Sequence, residues 1–489
     1  MRDRRDDALV VLAALVSLTL FLVRERAVAH GAGFPLDDSW IHLHFARNLA
    51  EGAGFSYNPG VPVAGSTAPA WTVLLAGGVL VGGASLTTAK VLGVVVTLAA
   101  ALVVRRACRA WGAPADVALS AAVAFLWMGP VAWGALSGME VGLAALLVAA
   151  ALLALARDRT TWAAVAGALA ALARPEALLL LPFLLLARPL TWRRVAVFAA
   201  VTVAVLAPAV AFSWATVGAP FPATAAAKVE GGLLGWLGGV REPASLTWWG
   251  RPRAFVTEWA HWLMQTHWLL PPAVILALAV VWRGRARALA VVGLALVAHP
   301  LGMALLAPYR GPAFQEGRYS IHLLPLAIVL CAVALGAPAL RRRRVALAIF
   351  LALALVPLAP AADRYAWGVQ NINAMQVHLG RWVSDNTPRR AVLAVNDIGA
   401  IAYFSRREVI DLMGLVTPEI LPYRREGESG VMEFVVARCP DFLIIFPTWF
   451  PRLTARHDLF VPIYRVSLDR VEVSGGPEMV VYRLAKCAV

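Results

Sequence analysis

The stretch FPLDDSWIHLHFARNLAEGAGFSYNPGVPVAGSTAPAW, Phe34 to Trp71, decides how the chain is read. It is a polar insert that follows an apolar run from Ala8 to Val23. Two adjacent carboxylates, Asp37 and Asp38, precede the segment Trp40–Glu51, where Trp40, Ile41, Leu43, Phe45 and Leu49 share the chain with polar residues. That pattern predicts an amphipathic helix on a membrane surface. Ionisable groups beside a membrane are costly and by default mark a site. An N-cap role explains one aspartate, because a helix start favours a carboxylate. It does not explain two, since adjacent like charges oppose joint ionisation. The pair points to a general base or to a divalent cation, with His42 and His44 spaced to add ligands; simple packing is the alternative for the histidines. Asn58, Ser66, Thr67 and Trp71 continue a loop whose proline and glycine density predicts defined turns.

Outward from this insert the chain is lipid-soluble. Of 489 residues, 60% are hydrophobic and 15% are charged, which excludes an ordinary soluble domain and indicates a multi-span membrane protein. The net charge of +15 is not a nucleic-acid footprint. The arginines fall in short clusters between apolar runs, the arrangement that sets topology beside anionic headgroups. The expected partner is the lipid bilayer, and no nucleic acid is expected. Cys108, Cys331, Cys439 and Cys487 show no metal-ligand spacing. The N-terminal apolar run lacks a clear small-residue cleavage site and reads as a retained span.

Candidate spans fall near 8–28, 87–105, 115–136, 140–156, 161–173, 176–187, 195–215, 265–282, 287–307, 320–338 and 345–362. With Arg2, Arg4 and Arg5 in the cytoplasm, the clusters Arg105–Arg109, Arg157–Arg159, Arg188–Arg194, Arg283–Arg287 and Arg341–Arg344 also lie inside under two conditions. The glycine-rich stretch 69–84 must not cross, and 161–187 must be a hairpin with Arg174-Pro175-Glu176 at its tip. The expectation is a polytopic α-helical protein of about 11 transmembrane helices, occupying 1–366, with its first outer loop at 29–86. Residues 367–489 are less apolar and alternate helix with strand. Runs near Ala391–Val395, Glu408–Leu412, Asp441–Phe446, Val461–Ser467 and Met479–Leu484 predict buried strands of an extracytoplasmic soluble α/β domain. An exported compartment would permit a Cys439–Cys487 disulfide; two buried free thiols are the alternative.

Further polar residues reach the outer face in this topology. Glu140 opens a span, and Arg174 and Glu176 line a wet turn or pair to support it. Lys228 stands in an outer loop of a chain whose basic residues are mostly arginine, and a lysine there is a phosphate partner as a point charge. Glu316, Arg318 and Tyr319 enter the tenth span, and Arg318 is a second candidate phosphate partner.

The strings DDSWIHLHFARNLAEGAGFSYNPG and VAGSTAPAWTVLLA resemble the first outer loop of the GT-C membrane glycosyltransferases, in particular the group of the mycobacterial terminal arabinofuranosyltransferase. SGMEVGLAALL, LARPEALLLLP, PFPATAAAK, GRYSIHLLPL and VNDIGAIAYF resemble further blocks of that group in the same order. The Asp38-Ser39-Trp40 string is also similar to the aspartate loop of the oligosaccharyltransferase catalytic subunit. The resemblance implies a bacterial plasma-membrane enzyme with a cytoplasmic N-terminus. It would transfer a sugar, arabinofuranose in the family's case, from a polyprenyl-phosphate donor to a glycan, glycolipid or protein acceptor outside. Asp38, with Asp37 beside it, would be the base. Lys228, Arg318 and Arg174 would hold the donor phosphate. His42, His44, Asn58, Ser66, Thr67, Trp71, Glu140, Glu316, Tyr319, Asn396 and Asp397 would line the substrate pocket. No cofactor is required beyond a divalent cation that Asp37 and Asp38 could hold. Ser39, Ser66-Thr67-Ala68 and Ala223 depart from the group's pattern and leave the sugar open. The rivals are a lipid-glycan flippase, which needs neither paired carboxylates nor an outer domain, and a protein O-glycosyltransferase or O-antigen-type ligase.

Overall fold

The computed structural model describes residues 2–229, 231–284, 286–336 and 343–485. Arg285, Arg341 and Cys487, which entered the topology and disulfide expectations, lie outside the described residues. Among those described, six helices are long and apolar enough to cross a membrane: Asp3–Ala29, Leu86–Ala110, Trp192–Val217, Arg287–Leu306, Phe314–Leu335 and Arg344–Asn386. Two bent pairs, Ala115–Leu126 with Gly129–Leu136 at 61° and Leu246–Thr266 with Leu270–Arg283 at 103°, raise the number to eight.

Several of the shorter runs expected as spans fall outside this set among the described residues, for local reasons. Val141–Ala156 has 16 residues, about 24 Å at 1.5 Å per residue, against a hydrocarbon core of about 30 Å. The 115–136 run breaks before Pro130, which sits in the first turn of the second helix. The 161–187 hairpin divides into the helix Thr160–Ala173 and a 3-10 turn, Pro175–Leu180, that leads into Leu181–Leu186. Arg174 between them is extended, at φ −142° and ψ 115°, as a residue before proline prefers. The glycine-rich stretch forms Pro69–Gly82, only 14 residues and too short to cross unaided.

Backbone proximity divides the chain into two compact units. One comprises Met1–Val23, Lys90–Ala209 and Val229–Asp363, and its elements among the described residues are all helices. In it Arg105 is buried against Asp3, Asp6 and Asp7 at 3.3, 3.4 and 2.7 Å.

The other unit comprises Arg24–Ala89, Val210–Lys228 and Arg364–Val489, so the outer loop that carries Asp37 belongs with the C-terminal sheet. The strands are β1 (Val392–Val395), β2 (Glu408–Asp411), β3 (Phe442–Ile445), β4 (Phe460–Ser467) and β5 (Glu478–Leu484), in the order β2-β1-β3-β5-β4. β1 runs parallel to β2 and β3, while β5 is antiparallel to β3 and β4. Alternation sends Leu393, Val395 and Ile444 to one face, where they pack with Leu379, Val383 and Ile401. Ile41, Phe45, Tyr57 and Val63 of the outer loop complete that core. Ala394, Leu443 and Ile445 point the other way, onto Val431, Phe434 and Val435. Pro462 falls in β4, an edge strand, where a missing N–H is tolerated. Cys439 is disulfide-bonded, and Cys108 and Cys331 are buried free thiols.

Candidate active site

The helix Asp38–Ala50 is buried from Ser39 to Asn48, so it does not lie on a membrane surface as its amphipathic pattern suggested. Its polar residues have internal partners instead. The His44 Nε2 N–H donates to the Tyr57 carbonyl (2.9 Å), while Nδ1 accepts from Arg47 (3.0 Å). Burial, with the Arg47 charge, holds this imidazole neutral by lowering its pKa to about 3. Arg47 also donates to the Tyr403 carbonyl at 2.9 Å and lies over the Tyr403 ring. Asn48 donates to the carbonyls of Ser56 and Tyr57. His42 is buried in the same helix.

The two aspartates have different situations. Asp37 is buried, and its carboxylate oxygens accept from Gly399 N–H (2.6 Å) and Ala400 N–H (2.7 Å). These are the first amides of the helix Gly399–Ser405, so Asp37 caps a helix remote in sequence rather than its own, where it makes no side-chain cap bond. A Cβ at Gly399 would lie 2.1 Å from the Asp37 carbonyl oxygen, so only glycine admits this approach. Asp397 accepts from Gln376 Nε2 at 2.7 Å and is hydrogen-bonded to Asp37.

Asp38 faces a different neighbour. Its Oδ2 lies 3.9 Å from Lys228 Nζ, and the two side chains are 30% and 22% exposed. Lys228 ends the short helix Ala223–Lys228. That helix is tied to the loop by Ala223 N–H to the Ala64 carbonyl (2.9 Å) and by the Thr224 hydroxyl to the Gly65 carbonyl, while Ala64 N–H donates to Thr216 Oγ1 (3.2 Å) at the end of the preceding helix, Trp192–Val217. Ser66 and Thr67 lie in this turn. Ser66 Oγ accepts from Ala68 N–H and bonds Thr72 at 3.0 Å, which starts the helix Pro69–Gly82. Trp71 is fully buried.

Asn58 serves the sheet. Its amide donates to the Val409 carbonyl (2.9 Å) and accepts from Val409 N–H (3.0 Å), closing the edge of β2. It and Trp71 thus have structural contacts of their own. The loop's turns and caps explain these residues without substrate.

Arg174, Glu140, Glu316, Arg318 and Tyr319 belong to the helical unit, apart from Asp38 and Lys228 in the division above. The Arg174 guanidinium donates to Glu140 and, from Nε and NH2, to Glu176 at 3.1 and 3.2 Å. Three of its five N–H donors are thereby committed to two acids, which gives it a charge-neutralising role within the fold. Both Arg174 and Arg318 stack on Tyr319, at 4.6 and 5.1 Å from its centroid. Gln315, Glu316 and Gly317 all have positive φ (49°, 61° and 74°), and the Glu316 carbonyl accepts from Trp262 Nε1 at 3.1 Å. Sequence reasoning missed His299 and His322, buried beside this cluster with ring centroids 5.4 Å apart. A histidine inside an apolar span was the available signal.

The donor set does not suit a divalent cation. Both Asp37 oxygens and both His44 nitrogens are engaged, and Asp38 faces an ammonium. Among the described residues, no group of three or more His, Cys, Asp or Glu could hold a metal ion.

Burial pushes the Asp397 carboxyl up to about 6, and burial with the Asp397 charge raises Asp37 as well. An unfolded carboxyl titrates near about 4. Between about pH 4 and 6 these carboxyls therefore hold more protons in the folded chain than in the unfolded one, and their contribution to stability falls as pH rises through that window. His44, held neutral, pulls the opposite way below about pH 6.5, so the carboxyl contribution is read as a difference: the Tm of Asp397→Asn relative to the wild type, in detergent, is expected to rise from pH 5 to pH 7.5. An unchanged slope in the variant would assign the effect to other groups.

Among the described residues, long apolar helices accompany a five-stranded sheet, and the loop that carries Asp37 and Asp38 packs with that sheet. The chain is similar over 99% of its length, and over 99% of the other, to ArnT from Cupriavidus metallidurans bound to undecaprenyl phosphate, with TM-score 0.62 and 13% identity. It is similar to the Archaeoglobus fulgidus oligosaccharyltransferase tethered with an acceptor peptide, with TM-score 0.56 and 13% identity, over 98% of this chain and 74% of that one. A third likeness is to the same archaeal oligosaccharyltransferase, AglB, in complex with an inhibitory peptide and a dolichol-phosphate, with TM-score 0.57 and 14% identity, over 99% and 74%. At such identities the likeness is one of fold. Residues 370–482 match a family described as a domain of unknown function, DUF8728. No curated protein matches the chain.

Proposed function

We propose that this protein is a glycosyltransferase that moves a sugar from a polyprenyl-phosphate carrier to a hydroxyl acceptor at the outer face of a bacterial plasma membrane. The observation that carries the reading is the Asp38–Lys228 pair. It sets a partly exposed carboxylate beside a partly exposed ammonium. Asp38 takes the proton of the acceptor hydroxyl as its oxygen attacks the anomeric carbon. The bond from that carbon to the phosphate oxygen breaks, and the polyprenyl phosphate leaves with the electron pair. Lys228 stabilises the charge that develops on it. Attack opposite the leaving group inverts the anomeric centre. Asp37, committed to Gly399 and Ala400, positions Asp38 and takes no proton from substrate. The ArnT and AglB structures, with their polyprenyl and dolichyl phosphates, support a lipid-linked donor. The outer loop's resemblance makes an arabinofuranosyl donor the first to try.

The direct test is to incubate purified protein with a panel of synthetic polyprenyl-phosphate pentofuranoses and hexoses plus glycoside acceptors, and to measure release of polyprenyl phosphate. No release from any donor sinks the reading. Lys228→Ala is expected to lower kcat/KM for the donor by about 10- to 100-fold, the scale of one lost charge-assisted contact, with Tm nearly unchanged. Wild-type turnover at sub-saturating donor would take Lys228 out of the site.

A further inference from the structure

Sheet topology singles out one end of the α/β region. The helix after β1, Gly399–Ser405, covers the face that holds Leu393 and Val395, because Ile401 and Ala402 pack there. The helix before β3, Glu428–Arg438, covers the opposite face, because Val431, Phe434 and Val435 pack with Ala394 and Leu443. The two crossovers thus part to opposite sides between the parallel neighbours β1 and β3. Open α/β sheets take ligands at the carboxyl ends of their strands at such a switch point, where the diverging connections leave a crevice.

Asn396 stands there. It is the first residue past β1, and its N–H donates to the Ile444 carbonyl of β3. The residue is 5% exposed, and neither its amide oxygen nor its amide nitrogen has a partner among the described residues. An unmet buried amide costs about 1–3 kcal/mol, and native proteins hold few of them. The chemistry around it selects the ligand. Asp397 follows directly, with Asp37 hydrogen-bonded to it, and these carboxyls disfavour an anion. A side-chain amide both donates and accepts, as a hydroxyl does. Past β3, Trp449 offers a partly exposed ring, held by its indole N–H to the Gly475 carbonyl at 2.8 Å. An amide that both donates and accepts suits the hydroxyls of a sugar ring, and an exposed aromatic ring on the segment after β3 suits its apolar face.

We propose that the carboxyl ends of β1 and β3 bind a neutral saccharide, with the Asn396 amide bonding its hydroxyls. This deepens the proposed transfer reading, in which Asn396 was expected to line the substrate pocket, and rests on it only for the choice of sugars; binding is measured without donor, so its failure is distinct from a failure of transfer. The full-length protein in detergent would be titrated with a mannose trisaccharide, an arabinofuranose trisaccharide and, as the anionic control, glucose 6-phosphate, by ligand-observed saturation-transfer NMR. At least one neutral trisaccharide is expected to bind and the phosphate is not. Asn396→Leu is expected to weaken that binding by about tenfold or more, with Tm held or raised because the unmet amide is gone. Asn396→Gln, which keeps the amide, is expected to restore part of it. The proposal is overturned if neither trisaccharide binds, if the phosphate binds better, or if Asn396→Leu binds as the wild type does.

Discussion

Asp38→Asn is expected to abolish most transfer while leaving the protein folded. The substitution keeps the side-chain volume and removes the charge. Loss of a general base lowers rate by about 10²–10⁴-fold. Removing one carboxylate from the first turn of a helix costs only about 0.3–1 kcal/mol. The rate of polyprenyl-phosphate release, measured beside Tm, separates these effects. Asp37→Asn is the control. It leaves one carbonyl oxygen to serve the two amides of Gly399 and Ala400, so it is expected to lower Tm more than Asp38→Asn does. If Asp38→Asn transfers sugar at the wild-type rate, the assignment of the base is wrong.

The largest stability effect is expected at Arg174. Glu140 is fully buried and Glu176 partly so, and Arg174 bonds both. Arg174→Met would remove the guanidinium that bonds two neighbouring carboxylates. Breaking a buried pair from one side costs about 3–5 kcal/mol, because the remaining charge stays desolvated. Thermal unfolding in detergent is expected to show a large drop in Tm, partly recovered in the double variant Arg174→Met/Glu140→Gln. A phosphate-binding Arg174 would instead give a near-normal Tm with a raised donor KM, so the two measurements discriminate between the roles.

The amino-acid sequence by itself determined the membrane class, the strands and the importance of the outer loop. Each follows from local properties. Apolar runs and arginine clusters mark spans because every residue there answers to the same solvent. Runs such as LIIF (443–446) and VVYRL (480–484) mark strands because burial on both faces leaves no room for polar alternation. The adjacent pair Asp37-Asp38 was visible as an anomaly for the same reason, since neighbouring like charges need an explanation.

Only the tertiary structure decided what each aspartate does. Asp37 meets amides 362 and 363 residues further along, and Asp38 meets a lysine delivered by another segment. Helical periodicity carries no information about such partners. It even misplaced the Asp38–Ala50 helix at a membrane surface, because His44, Arg47 and Asn48 look solvent-facing until their buried partners at Tyr57, Tyr403 and Ser56 are known. Where the helices break is likewise a property of the folded chain, as at Pro130 and Pro175. Local free energies select the elements, whereas long-range hydrogen bonds and ion pairs select which polar groups are consumed by the fold and which remain partly exposed, as Asp38 and Lys228 do, for chemistry.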